Sequence, residues 1–131
     1  MVIPAMKSLI IKENKFLIIQ DADDLFWELP GGKVQYGEDP YDALRREIRE
    51  ELDVEIEIGA FVGFCWSTNK ERHVVMSVFK CKAKSFDFDT SKNPSSEKIK
   101  QVKFVTKNEF LTDKYKTYNP SFKELIKKLD L

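Results

Sequence analysis

The chain has 131 residues, of which 42% are hydrophobic and 34% charged, and its 22 basic residues balance its 22 acidic ones. This composition excludes a disordered or collagen-like chain, and the length predicts one domain, residues 1–131, with its own apolar core. The even charge gives no indication of a dedicated nucleic-acid surface, and no run of about 18 apolar residues predicts a membrane span.

Short strands are predicted ahead of the first helix. The expected elements are a strand at 8–11, a turn at 13–15, a strand at 16–19, a polar loop at 21–24 and a short strand at 27–29. The strands at 8–11 and 16–19, with the turn between them, have the pattern of a β-hairpin. Pro30, Gly31 and Gly32 are expected to make a sharp break after the short strand.

A helix is predicted from Pro40 to Leu52. Asp39 suits its N-cap, Pro40 its first position and Asp42 the place of a capping-box acid. Such a helix would be about 20 Å long. Asp53 would then end the helix at the position where glycine is commonest.

The rest of the chain predicts further strands and a closing helix. The expected elements are strands at 54–66 and 73–82 joined by a polar connection at 67–72, an exposed loop at 87–98 and a half-buried strand at 99–105. Asn119 and Pro120 open a helix whose apolar stripe contains Phe122, Leu125, Ile126 and Leu129. This order predicts an α/β fold with a mixed sheet and helices on its faces.

The two cysteines, Cys65 and Cys81, lie in apolar strand-like runs and match no zinc-ligand spacing. We therefore expect buried thiols in a reducing compartment, with a disulfide between them as the less favoured alternative. Lys7 and Lys12 interrupt the apolar residues near the N-terminus, which is not typical of a signal peptide. A cytoplasmic protein is the expectation.

The predicted first helix carries three glutamates in its C-terminal half, where the helix dipole disfavours negative charge. At about 100° per residue, Glu47, Glu50 and Glu51 share one face beside an apolar stripe. Arg46 and Arg49 are expected on the far side of the helix. Three glutamates on one face of a helix usually mean that this face is a charged surface exposed to solvent. Clustered carboxylates are also the ligands that Mg²⁺ prefers when substrate phosphates complete its coordination. The second explanation predicts a metal site that works on phosphates.

The stretch from Gly32 to Val54 resembles the Nudix box, G-x5-E-x7-R-E-U-x-E-E-x-G-U, where U is a bulky aliphatic residue. The matching residues are Gly32, Glu38, Arg46, Glu47, Ile48, Glu50, Glu51 and Val54. Asp53 stands in place of the second glycine, with a modest effect expected on helix termination. The resemblance implies the Nudix α/β/α sandwich, a mixed β-sheet between helices, for the whole domain.

The resemblance also implies a reaction, the metal-dependent hydrolysis of a pyrophosphate linkage in a nucleoside diphosphate derivative. The residues that would bind Mg²⁺ or Mn²⁺ are Glu47, Glu50, Glu51 and, through its carbonyl, Gly32. Glu50 is the first choice for the general base and Glu38 would assist it, while Arg46 would orient a glutamate by a salt bridge. Glu97 would supply an auxiliary ligand or base, although a surface glutamate is the simpler explanation for it.

Aromatic residues outside the box are candidates for binding the base of a nucleotide. Those available are Phe26, Trp27, Phe64, Trp66 and Tyr118. We select Trp27 and Trp66, for which a place in the core is the alternative. Asn119 is predicted to hydrogen-bond a base edge, and its role as a helix cap explains it equally well.

Several subfamily signatures are missing from the sequence. Asn69 stands where ADP-ribose enzymes often carry a proline, and residues 69–71 lack the tyrosine expected of dinucleoside polyphosphate hydrolases. These differences favour a compact MutT-type enzyme acting on a nucleoside triphosphate. The alternatives are an ADP-ribose, nucleotide-sugar or dinucleoside-polyphosphate hydrolase, a non-catalytic nucleotide sensor, and an interaction module with an acidic helix. The expected partner is a nucleotide-type small molecule, with no membrane, and the chain is expected to be a monomer or homodimer.

Overall fold

The computed structural model describes residues 1–69, 71–94 and 98–131. The elements in this part of the chain are β1 (Val2–Lys12), β2 (Lys15–Asp21), β3 (Trp27–Glu28), β4 (Gly31–Lys33), α1 (Pro40–Leu52), β5 (Ile56–Asn69), β6 (Arg72–Ala83), β7 (Ile99–Thr106), α2 (Lys107–Phe110) and α3 (Pro120–Lys128). The predicted hairpin, the first helix and the closing helix are all present.

β1 is the central strand of a mixed sheet. It runs parallel to β6 and pairs antiparallel with β4 along one part of its length. Its far end forms the predicted hairpin with β2, which pairs in turn with β3 and β7. β5 pairs antiparallel with β6. β1 therefore joins the strands on both of its sides into one sheet.

The strands of the hairpin are buried on both faces, which explains their continuous apolar runs. Leu9 and Ile18 pack in a cluster that also holds the α3 residue Ile126. Ile10 and Leu17, their neighbours in the sequence, face the other way and pack in a cluster with α1. Helices therefore cover both faces of the sheet, and the predicted α/β/α sandwich is confirmed.

The strands β1, β2, β5 and β6 are longer than their apolar runs predicted, whereas β3 ends one residue early, at Glu28. β1 begins at Val2 because its parallel pairing with β6 starts there, opposite His73. β5 and β6 continue into the predicted connection at 67–72, where Ser67 pairs with Val74. The end of each strand is set by a pairing partner, and polar residues can continue a ladder.

The prediction of a sharp break at residues 30–32 was wrong for Gly31 and Gly32. Gly31 pairs with Lys7 and Gly32 with Met6, so both glycines belong to β4, and the bend is confined to Pro30. The backbone of this segment is therefore fixed against the central strand. This pairing places β4 beside α1, where the predicted site lies.

The caps of α1 agree with the prediction at both ends, except for the capping box. Asp39 accepts from the backbone N–H of Tyr41 at 2.8 Å and of Asp42 at 3.3 Å. Asp42 itself accepts from Arg45 at 3.2 Å instead of reaching back to the cap. Asp53 ends the helix in the left-handed conformation, with φ 57°.

Cys65 and Cys81 are buried free thiols, as predicted. Burial raises the pKa of Cys65 to about 11 and that of Cys81 to about 12. Within the described ranges, no helix is both long and apolar enough to cross a membrane.

Candidate active site

Two glycines allow β4 to lie against its neighbours. Gly31 has φ 139°, and a Cβ there would lie 2.1 Å from the carbonyl oxygen of Met6. A Cβ on Gly32 would lie 2.4 Å from Cδ of Glu47. Glycine is therefore needed at both positions for β4 to fit between β1 and the carboxylate of Glu47 on α1.

Arg46 binds three of the predicted site glutamates. Its Nε and Nη2 donate to the two carboxylate oxygens of Glu38 at 2.8 and 3.0 Å. Its Nη1 donates to Glu47 at 3.1 Å and to Glu50 at 3.3 Å. The prediction that Arg46 lies away from the helix carboxylates was wrong, because its long side chain bends back and reaches Glu47 and Glu50.

The charges in this network are not fully balanced. The hydrogen bond from Arg46 lowers the pKa of Glu38 and raises the pKa of Arg46 itself. Burial raises the pKa of Glu47, and the attraction of Arg46 only partly offsets it. A further positive charge beside Glu47 would stabilise its ionised form.

Glu51 faces β4 instead of Arg46. Its Oε1 accepts from the backbone N–H of Gly31 at 2.8 Å. Burial raises the pKa of Glu51 well above its ordinary value, although the nearby Lys7 opposes the shift. Glu51 therefore links α1 to β4 and is a second carboxylate at which a cation would be favourable.

Lys7 of β1 is buried, and sequence reasoning assigned it no role. Its Nζ donates to the carbonyl oxygen of Gly31 at 3.3 Å and lies 3.7 Å from Oε1 of Glu28. Burial works to lower the pKa of Lys7, but the carboxylates of Glu28 and Glu51 together raise it. A lysine inside a mostly apolar strand was the signal available in the sequence, and Glu28 gave none beyond its charge.

A pocket with a cavity of about 50 Å³ brings together the three predicted base-binding residues, Trp27, Trp66 and Asn119. Lys7 and Glu28 line the same pocket. Trp27 also packs edge-on against Tyr115, with ring centroids 5.3 Å apart, so it belongs to the core as well. The two explanations offered for this tryptophan are therefore compatible.

Asn119 lines the pocket and caps α3. Its Oδ1 accepts from the backbone N–H of Ser121 at 2.8 Å. The amide NH₂ has no hydrogen-bond partner among residues 1–69, 71–94 and 98–131. The cap thus uses the oxygen and leaves a donor for a ligand.

The other aromatic candidates differ in position. Tyr118 lines the pocket, and its hydroxyl donates to Asp24. Phe26 packs edge-on against Tyr118, with ring centroids 4.8 Å apart, and is not among the lining residues. Phe64 is 62% exposed and packs against Phe61. Glu97 lies outside the described residues and stays a prediction.

The donor chemistry of the site fits a divalent cation. No three His, Cys, Asp or Glu side chains form a ready-made metal site in the part of the chain that the structure describes. Mg²⁺ in phosphate-handling sites is usually held by one or two carboxylates and completed by phosphate oxygens. Glu47 and Glu50, joined by Arg46, provide such carboxylates, and the backbone of Gly32 lies against Glu47.

Comparison with known proteins identifies relatives of the chain. A family model described as the NUDIX domain matches residues 3–129. The chain is 35% identical over 71 residues to a MutT-like protein of Streptomyces ambofaciens, covering 54% of this chain and 45% of that protein. It is 35% identical over 54 residues to an 8-oxo-dGTP diphosphatase of Proteus vulgaris, covering 41% and 48% of the two chains. The chain spans about half the length of these curated relatives.

Solved structures share the fold over nearly the whole chain. The MutT protein from Methanosarcina mazei Go1 has a TM-score of 0.82 at 22% identity, covering 97% of this chain and 91% of that one. An ADP-ribose pyrophosphatase from Streptococcus suis 89-1591 has a TM-score of 0.68 at 20% identity, covering 98% and 94%. At these identities the similarity shows the fold alone.

Proposed function

The chain belongs to the NUDIX domain family, and we propose that it is a metal-dependent pyrophosphohydrolase acting on a nucleoside triphosphate. The observation that carries this proposal is the network in which Arg46 binds Glu38, Glu47 and Glu50 within hydrogen-bond distance. A relative named as an 8-oxo-dGTP diphosphatase supports a triphosphate substrate.

Glu47, Glu50, Glu51 and the carbonyl of Gly32 are the proposed ligands of Mg²⁺ or Mn²⁺. When bound, the cation supplies polarisation of the phosphoryl oxygens and a lower pKa of water at the site. The raised pKa values of Glu47 and Glu51 support this assignment, because both carboxylates are half-buried with too little positive charge around them. Both would be more easily ionised beside a dication.

Glu50 is the proposed general base, which takes a proton from the water that attacks phosphorus. Arg46 donates to Glu50 and would hold its carboxylate in position. Glu38 binds Arg46 through two hydrogen bonds and thereby fixes the direction of the guanidinium. Glu38 is also proposed to assist proton transfer.

The base of the nucleotide is proposed to bind between Trp27, Trp66 and Asn119, which line one pocket. Stacking on an aromatic side chain contributes about 1–3 kcal/mol per base. The unpartnered NH₂ of Asn119 supplies a hydrogen-bond donor for the base edge. Trp66, which is 44% exposed, is the more accessible of the two stacking candidates.

A substrate panel tests this proposal. Phosphate and pyrophosphate release would be measured from nucleoside triphosphates, 8-oxo-dGTP, ADP-ribose, nucleotide sugars and dinucleoside polyphosphates, with Mg²⁺ or Mn²⁺. We expect pyrophosphate release from a triphosphate. Turnover confined to another compound would replace the proposed substrate, and nucleotide binding without any turnover would indicate a sensor.

The location and assembly of the protein stay predictions. A cytoplasmic location accords with the two free thiols, Cys65 and Cys81, since reducing compartments preserve them. Sedimentation of the purified protein would distinguish a monomer from a homodimer.

A further inference from the structure

Four aromatic rings form a continuous row from the start of α1 to β5. Tyr41 of α1 packs edge-on against Phe79 of β6, with ring centroids 5.5 Å apart. Phe79 contacts Phe61 of β5 at 5.4 Å, and Phe61 contacts Phe64 at 4.9 Å. We call these four residues the aromatic patch.

Much of the aromatic patch is exposed to solvent. Tyr41 is 46% exposed, Phe61 47% and Phe64 62%. Since an aromatic side chain has about 150–250 Å² of surface, these three residues leave about 300 Å² in contact with water. Solvent-facing positions of an antiparallel strand pair are commonly polar. Packing within the described part of the chain therefore leaves an unusual aromatic surface uncovered.

The surface around the patch lacks charged side chains. Residues 58–69 of β5 and 73–79 of β6 contain no Asp, Glu, Lys or Arg. The adjoining end of β1 adds Val2 and Pro4, both exposed, which face the same side of the sheet as Met6 in the cluster with α1. The patch and this end of β1 thus form one apolar face. Aromatic enrichment and depletion of charge are typical of the core of a protein–protein interface.

The charges that border this face are of both signs. Asp42 and Arg45 lie near Tyr41 on α1 and form an ion pair at 3.2 Å. Glu71 and Arg72, both exposed, lie where β6 begins. A nucleic acid or an anionic membrane would meet a repelling carboxylate at either end of the face. A second copy of the chain allows each carboxylate to lie near an arginine, because a two-fold interface pairs a surface with itself.

The area of the face also agrees with a dimer interface. A standard interface buries about 800 Å² on each partner, and its apolar part is about 450 Å². The exposed rings of the patch supply about two thirds of that apolar area. Val2, which is 63% exposed, and Pro4 add to it.

We propose that this face is the interface of a homodimer, in which the aromatic patches of two copies pack against each other about a two-fold axis. Phe64 occupies the middle of the face, because it pairs with Ser77, between Phe79 and the residues of β6 that pair with Val2 and Pro4. The inference goes beyond the proposed hydrolysis and does not depend on it.

Sedimentation velocity over a concentration series tests the inference on the unaltered protein. The chain should form a reversible dimer, and Phe64→Glu should weaken it about 100-fold or more, because two carboxylates would be buried against each other. Phe86→Glu is the matched control, the same change at a 43% exposed phenylalanine outside the patch, and should leave the dimer intact. A chain that stays monomeric, a dimer that survives Phe64→Glu, or a dimer lost in Phe86→Glu would overturn the inference.

A pair of opposite charges tests whether the face meets itself. Phe64→Lys alone should also be monomeric, and an equimolar mixture with Phe64→Glu should form a mixed dimer, since opposite charges then meet across the axis. A mixture that stays monomeric would contradict the two-fold pairing. Thermal melts report whether the variants fold. If the charged variants do not, Phe64→Asn removes the ring without a charge and should weaken the dimer about 10-fold.

A lipid surface is the other occupant that an uncharged apolar face could have. Flotation with neutral phosphatidylcholine vesicles distinguishes it from a second copy. We expect the wild type to remain unbound. Binding to the vesicles that is lost in Phe64→Glu and kept in Phe86→Glu would assign the face to lipid and overturn the homodimer.

Discussion

Arg46 shows how one side chain can organise a site. A guanidinium is a planar fork of five N–H donors, and here Glu38 takes two of them while Glu47 and Glu50 share Nη1. The prediction of a salt bridge from Arg46 could be made from the resemblance. Its multiple contacts could not, because helix angles locate only the start of a side chain and the arginine stem is long.

Arg46→Lys tests this role, because it keeps the charge and loses the fork. We expect turnover to fall roughly 10- to 100-fold, as is typical when a residue that orients metal ligands is changed. Arg45→Lys is the matched control, since Arg45 lies on the same helix and donates to Asp42, which is not one of the proposed site residues. Steady-state kinetics and thermal melts of both variants provide the measurement, and equal rates would contradict the role.

The two glycines of β4 should respond differently to alanine. Gly31→Ala would place a methyl group against the backbone of Met6 at a positive φ, so the free energy of unfolding should fall by about 1 kcal/mol or more. In Gly32→Ala, the atoms nearest the new methyl group belong to the flexible end of Glu47, so the fold should survive while this carboxylate is displaced. Denaturant unfolding with Mn²⁺-binding measurements would separate these outcomes. Normal metal affinity in Gly32→Ala would contradict the proposed place of Glu47.

The bounds of α1 could be predicted from the sequence because its start and stop signals are local. Asp39 caps it, Pro40 begins it and Asp53 ends it, all within one stretch of sequence. β4 could not be predicted, since Gly31 and Gly32 form a strand only by pairing with β1. The short helix α2 does carry a local signal, a capping box between Thr106 and Glu109, that the sequence reading missed.

Asn119 at the start of α3 allows the cap and the ligand donor to be separated. Asn119→Asp keeps the capping oxygen but removes the NH₂, so stability should hold while nucleotide binding weakens. Asn119→Ala removes both and should lower the free energy of unfolding by about 0.5–2 kcal/mol. Denaturant unfolding and calorimetry on the two variants provide the test. Unchanged nucleotide affinity in Asn119→Asp would leave Asn119 only as a cap.

More of the carboxylate site than of the pocket could be predicted from the sequence. Most of the carboxylate site lies within Gly32–Glu51, so its spacing is visible in the sequence. The pocket joins Lys7, Glu28, Trp66 and Asn119, which come from distant parts of the chain. Trp66 and Asn119 could be proposed by residue type, but Lys7 could not, because only the folded sheet places it beside Glu28.

Metal-dependent hydrolysis by this carboxylate network requires both the divalent cation and the proposed base Glu50, so each is removed in turn. Pyrophosphate release from nucleoside triphosphates would be measured in EDTA and across Mg²⁺ concentrations for the wild type, Glu50→Gln and Glu57→Gln, an exposed glutamate of β5 as the control. We predict turnover that requires Mg²⁺, falls about 100-fold or more in Glu50→Gln and is unchanged in Glu57→Gln. Turnover in EDTA, or full activity in Glu50→Gln, would contradict the account.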